Sequence, residues 1–321
     1  MASRDGNGWV RCALGHRHWG KYGAAGLLAY AGEGLLAYAG EGADHPAGAD
    51  PWGNPPGGIR VLLQHRVSWS HYGGTWGLPG GAADSHETPV QAALREASEE
   101  CAVPPDAVMV HGIYTDDHGG WAYYTVFARA ATPFAAYAAS EETDDVDWVP
   151  ADRAAELDLH PGLAAHWAEL REGLAPLTVI VDAANVVGSR PDGWWRDRAG
   201  AARRLVSAVA ALAGEGVTQV PAGLGLPAPA RWLPDYVVVL EGQARAAVPE
   251  GRELHGAGLD GSRRLRVVGA PGSGDDTIAE LAAELPGRRL VVTADRELRA
   301  RCEAGGAVVT GPRWLTERLA G

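Results

Sequence analysis

Residues 81–103, GAADSHETPVQAALREASEECAV, restrict the fold of this chain more than any other stretch. Thr88 suits a helix N-cap. Pro89 stands in a first turn, where a missing N–H costs nothing, and Ala92, Ala93, Leu94 and Ala97 favour the helix that follows. The spacing predicts a helix over 88–100. On it Glu96, Glu99 and Glu100 stand at i, i+3 and i+4, so three carboxylates share one face about 5–6 Å apart at Cβ. Like charges that close repel, and a divalent cation relieves the repulsion. A donor set of carboxylate oxygen alone favours a hard ion, Mg2+ or Mn2+, over Zn2+. Arg95, four residues before Glu99, is placed to hold that carboxylate.

These residues resemble the box of the Nudix family, G-x5-E-x7-R-E-U-x-E-E-x-G-U, where U is a bulky aliphatic residue. Gly81, Glu87, Arg95, Glu96, Glu99 and Glu100 fall at the required offsets, and Val103 fills the last U. Ala97 is a small residue at a U position, and Ala102 replaces the glycine. Ala102 falls at the helix C-terminus, where a left-handed residue favours glycine, so alanine costs about 1 kcal/mol there. The run Trp76-Gly77-Leu78-Pro79-Gly80-Gly81 is similar to the family's strand-to-loop entry.

The resemblance implies an α/β/α sandwich around a mixed sheet. It also implies hydrolysis, with Mg2+ or Mn2+, at the pyrophosphate of a nucleoside diphosphate linked to another group. In that scheme Glu96 and Glu100 are metal ligands. Glu99 is a further ligand or receives the attacking water's proton, and Arg95 is catalytic in its support. Glu87 stands behind the ligands, and Gly80 and Gly81 offer backbone N–H groups to the substrate or simply allow the turn. Outside the box, Glu142, Asp144, Asp145 and His118 are candidates for a general base, and Trp69, His71, Tyr72, Trp121 and Tyr123 for base recognition.

A chain of 321 residues with 46% hydrophobic content is long enough for two domains. No apolar run reaches the roughly 18–20 residues of a membrane span, and no leader is expected at the N-terminus. Cys12, Cys101 and Cys302 are odd in number and widely spaced, matching neither a disulfide framework nor a zinc pattern, which points to a reducing cytoplasm. An H-x-H pair, His16 and His18, has no further ligand beside it in sequence and reads as packing or solvent contact. Charge divides unevenly. Residues 1–172 carry 10 basic and 23 acidic side chains, and residues 173–321 carry 18 and 17. The first half therefore cannot attract a polyanion by bulk charge, whereas the arginine-rich second half can through local clusters.

Two domains are expected, 1–172 and 177–321. In the first, GLLAYAGE at 26–33 is repeated letter for letter at 34–41. One copy supplies an early strand and the other extends into a loop rich in glycine and proline. Strands are expected at 59–66, 108–114, 121–130 and 148–149, an acidic loop at 141–147, and a helix over 156–171 interrupted at Pro161. In the second, strands at 177–181, 236–240, 265–268, 290–292 and 307–310 alternate with helices, the pattern of a doubly wound, mostly parallel sheet. Such sheets bind ligands beyond the carboxyl ends of their strands. Asp182, Glu241, Asp275, Asp276 and Asp295 all fall there, as does Asn185 beside Asp182. A carboxylate ring of that kind suits a Mg2+ or Mn2+ site that cleaves phosphodiesters.

The residues V-D-A-A-N-V-V at 181–187, Asp275-Asp276 at a helix start, and V-T-A-D-R-E-L at 292–298 resemble the NYN and PIN-like nuclease families, in their YacP-like branch. Ala183 replaces a common glycine, and Glu241 stands where aspartate is frequent. The resemblance implies metal ligation by Asp182, Glu241, Asp275, Asp276 and Asp295, with Asp182 and Asp295 catalytic and Asn185 at the substrate. Arginines at 263, 264, 266, 288 and 289 are candidates for RNA phosphate contact. The expected protein is a Mg2+-dependent nucleotide pyrophosphohydrolase fused to a metal-dependent ribonuclease. The alternative is a non-catalytic nucleotide sensor whose second half is an RNA-binding effector.

Overall fold

The computed structural model describes residues 4–32, 58–190, 193–248, 253–257 and 263–319. The chain divides into two compact units, Met1–Leu174 with Pro227–Arg231, and Ala175–Leu226 with Trp232–Gly321. Among the described residues no helix is long and apolar enough to cross a membrane.

The first unit begins with an antiparallel hairpin, β1 (Trp9–Arg11) and β2 (Arg17–Trp19), in which Val10 faces His18. An eight-stranded mixed sheet follows. It comprises β3 (Ala24–Gly32), β4 (Ile59–Arg66), β5 (Trp76–Gly77), β6 (Gly80–Ala82), β7 (Val108–Asp117), β8 (Ala122–Ala130), β9 (Thr143–Pro150) and the short strand Ala230–Trp232. The last of these lies beside β7, where Thr115 N donates to Pro229 O at 3.0 Å. β3 is central. It runs parallel to β8 from Ala24 opposite Tyr123 to Tyr30 opposite Arg129, while its other edge is shared. Ala24–Gly26 pair with β6 and Tyr30–Gly32 with β4, both antiparallel. All of β3 before Gly32 is buried, which explains its unbroken apolar sequence. The first GLLAYAGE copy therefore supplies the strand; the second, at 34–41, lies outside the described residues.

Helix α1 (Pro89–Cys101) follows β6 and carries the glutamates. Thr88 caps it with a reciprocal pair: Gln91 N donates to Thr88 Oγ1 at 3.3 Å, and Thr88 N donates to Gln91 Oε1 at 2.9 Å. Ala102 ends it in the left-handed conformation, φ 55° and ψ 29°. Val90, Ala92, Ala93, Ala97 and Cys101 form its buried side, and three alanines among them let the helix lie close to β3. Two expectations change here. The acidic segment expected as a loop is mostly strand, because β9 pairs with β4 along its whole length while leaving Asp144 and Asp145 exposed. Pro161 starts helix α2 (Pro161–Leu170) rather than interrupting one, since proline at the first helical position leaves no bond unmade.

The second unit contains β10 (Leu177–Asp182), α3 (Ala183–Gly188), α4 (Arg198–Glu215), β11 (Ala230–Trp232, shared with the first unit), β12 (Asp235–Leu240), β13 (Glu253–Ala257) and β14 (Arg263–Gly269). It continues with α5 (Gly274–Glu284), β15 (Arg288–Val292), α6 (Arg296–Ala304), β16 (Val308–Thr310) and α7 (Pro312–Arg318). Its six-stranded sheet has the order β13-β14-β12-β10-β15-β16, parallel throughout except for β13. The apolar runs of β10, β12 and β15 are buried, and Ile180, Val237, Val239 and Val291 pack with Ile278, Leu298 and Cys302 from α5 and α6. Strand order reverses at β10, whose neighbours are β12 and β15. A crevice at the carboxyl end of such a reversal is the usual ligand position.

Candidate active sites

In the first unit the three box glutamates differ sharply in environment. Glu100 is buried; Gly80 N donates to its Oε2 at 2.8 Å and Gln64 Nε2 to the same oxygen at 2.9 Å. Burial pushes its carboxyl up to about 7, against the lowering effect of the Gly80 N–H, and nearby Glu96 adds to the rise. Glu96 is also raised by burial, with Arg95 opposing. Glu99 is 39% exposed and ion-paired to Arg4 and, at 3.4 Å, to Arg95 Nη1. These donors are all oxygen; one carboxylate is buried and one half-buried, and their charge is only partly compensated. Such a set fits a hard divalent cation.

Arg95 was expected to hold Glu99, but its closest partners are elsewhere. Its Nε and Nη2 donate to the two Glu87 oxygens at 2.7 and 2.9 Å, Nη1 to Glu96 at 2.7 Å, and Nη2 to the Ala82 carbonyl at 3.0 Å. Glu87 also accepts from Asp84 N at 2.9 Å, and the Arg95 hydrogen bonds hold its carboxyl below the usual range. Glu87 thus anchors Arg95 beneath the helix face that carries the three glutamates. Gly80 directs its N–H at Glu100. At Gly81 a Cβ would meet the Glu96 carboxylate at 2.8 Å, so glycine here makes room for a glutamate.

Gly80 and Gly81 also line a cleft of about 550 Å3 within the first unit. Trp19, Tyr72, Trp121 and Tyr123 contribute aromatic walls, and His16, His18, His118, His160 and His166 a band of imidazoles. The hydroxyl of half-buried Tyr123 is pushed upward by desolvation first, with Glu100 and Glu96 adding to the rise, which places it near the glutamates. Arg66 lines the same cleft, and its Nε is buried with no hydrogen-bond partner among the described residues. Sequence reasoning read 59–66 only as a buried strand and missed this arginine. The available signal is its place as the last residue of β4, where the strand opens toward the site. Among the other base-recognition candidates, His71 lines the cleft and Trp69 does not. Of the base candidates outside the box, Asp144 is 3.6 Å from His65 and His118 is paired with Asp116.

In the second unit, Asp182 ends β10 and is the centre of a bonded cluster. Its Oδ2 accepts from Asn185 Nδ2 and Thr293 Oγ1, both at 2.7 Å, and its Oδ1 from Asn185 N at 3.0 Å. Burial raises its carboxyl in spite of those donors. Asn185 reaches across to accept from Ala294 N at 3.3 Å, joining the ends of β10 and β15. Glu241, just past β12, accepts from Gly274 N at 3.0 Å, and Asp295 caps α6 through Leu298 N at 2.8 Å. Asp275 is raised by burial and by the charges of Asp182, Asp295 and Glu241, so these four carboxylates share one neighbourhood. Asp276 does not join them. It is 62% exposed and paired with Arg301 at 2.8 Å, because successive residues of a helix point about 100° apart. Three of the arginines expected at RNA are tied to backbone instead. Buried Arg264 donates to Leu233 O, Arg288 to Leu224 O, and Arg289 to the carbonyls of Leu285, Gly305 and Gly306.

A mixed sheet with a glutamate-rich helix behind a glycine pair is the arrangement of a Nudix domain, and the NUDIX domain model matches residues 51–170. The chain belongs to the Nudix hydrolase family, whose enzymes generally use divalent metal ions such as Mg2+. It is 42% identical over 181 residues to a Mycobacterium tuberculosis protein provisionally named 8-oxo-dGTP diphosphatase 3, covering 54% of this chain and 72% of that one. A solved Nudix hydrolase from M. smegmatis, RenU, is 42% identical, with 52% of this chain and 94% of that chain covered and a TM-score of 0.43. Rae1 (YacP) from Bacillus subtilis is 16% identical, with 44% of this chain and 74% of that chain covered and a TM-score of 0.31.

Proposed function

We propose that the first unit hydrolyses the pyrophosphate of a nucleoside diphosphate carrying a further group, with Mg2+ or Mn2+ held by Glu96, Glu99 and Glu100. The observation that carries this reading is the carboxylate pair of buried Glu100 and half-buried Glu96, set behind Gly80 and Gly81 at the edge of a nucleotide-sized cleft. A divalent cation bound there supplies neutralisation of phosphate charge and a lowered pKa for bound water. Arg95, locked by Glu87, orients Glu96 and Glu99. The exposed oxygens of Glu99 take the proton of the attacking water as its oxygen bonds to phosphorus and the bridging P–O bond breaks. Arg66 binds phosphate oxygens, and the base lies among Trp19, Tyr72 and Trp121. The name of the M. tuberculosis relative makes 8-oxo-dGTP, in which the further group is a phosphate, the first substrate to try. Release of nucleoside monophosphate from a nucleotide panel with Mg2+ tests the reading, against Glu99→Gln and Glu100→Gln. Equal turnover by both variants removes the assigned roles. Nucleotide binding without turnover by the parent protein favours the sensor.

For the second unit we propose a metal-dependent ribonuclease of the NYN/PIN-like kind. Asp182, Glu241, Asp275 and Asp295 are the carboxylates that serve the cation, and Asn185 positions Asp182. What supports the reading is the position of these four carboxylates at the carboxyl ends of β10, β12, β14 and β15, close enough that Asp182, Asp295 and Glu241 add to the rise that burial gives Asp275. Cleavage of single-stranded and structured RNA by the full chain with Mn2+ or Mg2+ is expected, and its loss in Asp182→Asn. No cleavage of any RNA rejects this reading.

A further inference from the structure

Three histidines and a cysteine that serve neither proposed reaction meet at one point of the first unit. The turn between β1 and β2 is short and closed: Cys12 N donates to His16 O at 3.1 Å, and Gly15 N donates to Cys12 O at 3.0 Å. Gly15 makes this possible at φ +84°, a conformation that side chains resist. Ala13 N then donates to Gly119 O at 2.8 Å, clamping the turn onto the loop between β7 and β8 and delivering His118. One ligand atom from each of Cys12, His16, His18 and His118 lies within 4.8 Å of all the others. In a tetrahedral site with Zn–N about 2.1 Å and Zn–S about 2.3 Å, ligand atoms stand about 3.4–3.8 Å apart. Small side-chain rotations close that gap.

The hydrogen bonding of these rings points the same way. His118 Nε2 donates to Asp116 Oδ2 at 3.0 Å, while its Nδ1 is buried with no hydrogen-bond partner. A carboxylate behind the far nitrogen, fixing the tautomer and leaving the near nitrogen free, is the usual support of a metal-bound histidine. His18 Nε2 is likewise buried without a partner, and its ring is held flat on Trp121, centroids 3.9 Å apart at 11°. Buried polar atoms are normally satisfied, so two unpartnered ring nitrogens in one cluster require a ligand. Cys12 is 6% exposed, the right setting for a thiolate bound to metal rather than a free surface thiol.

We propose that Cys12, His16, His18 and His118 bind one Zn2+ ion, with Asp116 positioning His118. A thiolate with three imidazoles selects Zn2+ over the hard ions suited to the box glutamates. One thiolate and Asp116 together balance the two charges of the ion. Four protein ligands leave no open position, so the site is structural. It fastens the β1–β2 hairpin to the β7–β8 loop, and His16, His18, His118 and Trp121 form one wall of the cleft.

The full chain, purified without a histidine tag or chelator, is expected to retain about one zinc per molecule by elemental analysis. Co2+ added after zinc removal should give tetrahedral ligand-field bands and a thiolate-to-cobalt charge-transfer band. Cys12→Ser should abolish the charge-transfer band, and His16→Gln, at an exposed position, should alter the tetrahedral bands. Asp116→Asn should keep the spectrum while weakening Co2+ affinity about 10–100-fold. Glu99→Gln should change none of these, and since no readout uses turnover, failure of the pyrophosphohydrolase reading leaves the result intact. Absence of both zinc and the charge-transfer band in the parent protein, or a charge-transfer band that survives Cys12→Ser, overturns the proposal. Should Cys12→Ser not fold, the parent spectrum and His16→Gln still decide.

Discussion

Gly80 and Gly81 are adjacent, both in β6, and replacing each by alanine should damage the protein in opposite ways. At Gly80 a Cβ collides with the Ala25 carbonyl and comes within 2.5 Å of Gly26 Cα, both backbone atoms of β3. Backbone cannot rotate aside. The strand pair must separate, taking with it the Gly80 N–H bond to Glu100. Overpacking against a fixed neighbour costs about 1–3 kcal/mol, and loss of the bond to a buried carboxylate adds about 1.5–3 kcal/mol. At Gly81 the Cβ meets only the Glu96 carboxyl group, at 2.8–2.9 Å. That group is the free end of a flexible side chain and can retreat by about 0.5 Å to ordinary contact. Gly81 has no positive φ, so alanine also restricts the unfolded chain and recovers about 0.4–1 kcal/mol. Against that gain stands the disturbed Arg95–Glu96 bond, about 1.5–3 kcal/mol if it is lost, so Gly81→Ala should be destabilised less than Gly80→Ala.

The displaced Glu96, however, leaves its 2.7 Å contact with Arg95, and Mg2+ tolerates little departure from octahedral ligands at about 2.0–2.1 Å. Weakening of Mg2+ binding by about 10–100-fold follows, on the scale of a lost supporting contact. Chemical denaturation in EDTA and calorimetric Mg2+ titration separate the two effects. Parent-like Mg2+ affinity in Gly81→Ala, or parent-like stability in Gly80→Ala, would show that the glycines do not act as described.

Glu100 gives a pH signature. Burial pushes its folded-state carboxyl up to about 7, above its ordinary 4.5, so the metal-free protein is relatively most stable below 4.5 and loses about 3 kcal/mol as pH rises through 7. Glu100→Gln should flatten that loss in denaturation curves, and parent Mg2+ affinity should fall about tenfold from pH 8 to pH 6 through proton competition. Ala102→Gly should stabilise the first unit by about 1 kcal/mol, since Ala102 sits at φ 55°; an unchanged denaturation midpoint argues against strain there. Arg95→Lys cannot span both Glu87 oxygens and leaves that carboxylate part-paired, so a loss of about 2 kcal/mol in unfolding free energy and a large fall in turnover are expected together.

Local chemistry made some of this structure legible in advance. Thr88, Pro89 and Ala102 announced both ends of α1, because caps depend on neighbours in sequence, and strand–helix alternation announced the parallel sheet of the second unit. What stayed hidden depends on distant partners. β9 carries Asp144, Asp145 and Asp147, a sequence that favours loop, yet the hydrogen-bond ladder with β4 overrides propensity. Pro227–Arg231 fall far from the first sheet in sequence but belong with it in space. Arg66 looked like the end of a buried strand, and only the folded cleft shows that its Nε lacks a partner. Cys12 and His118 are separated by most of a domain in sequence, so no spacing rule could join them, and the scattered cysteines argued against the very pattern that folding creates.

On the proposed reading, the charge balance of the first unit would make cation and nucleotide binding mutually dependent. Residues 1–172 carry 13 more acidic than basic side chains, and three of those carboxylates crowd one helical patch. Arg95 cannot answer that charge for a substrate, because Glu87 and Glu96 already occupy it. Arg17 and Arg66 line the cleft and Arg4 pairs with Glu99, but these guanidiniums do not offset three glutamates together with a pyrophosphate that is itself multiply charged. A pyrophosphate therefore has to arrive with, or after, the cations that reverse the sign of the patch. By linkage, whatever factor Mg2+ contributes to nucleotide affinity, nucleotide contributes to Mg2+ affinity. On the proposed reading, the glutamates that make the site unwelcoming to phosphate alone would select a metal-bound one.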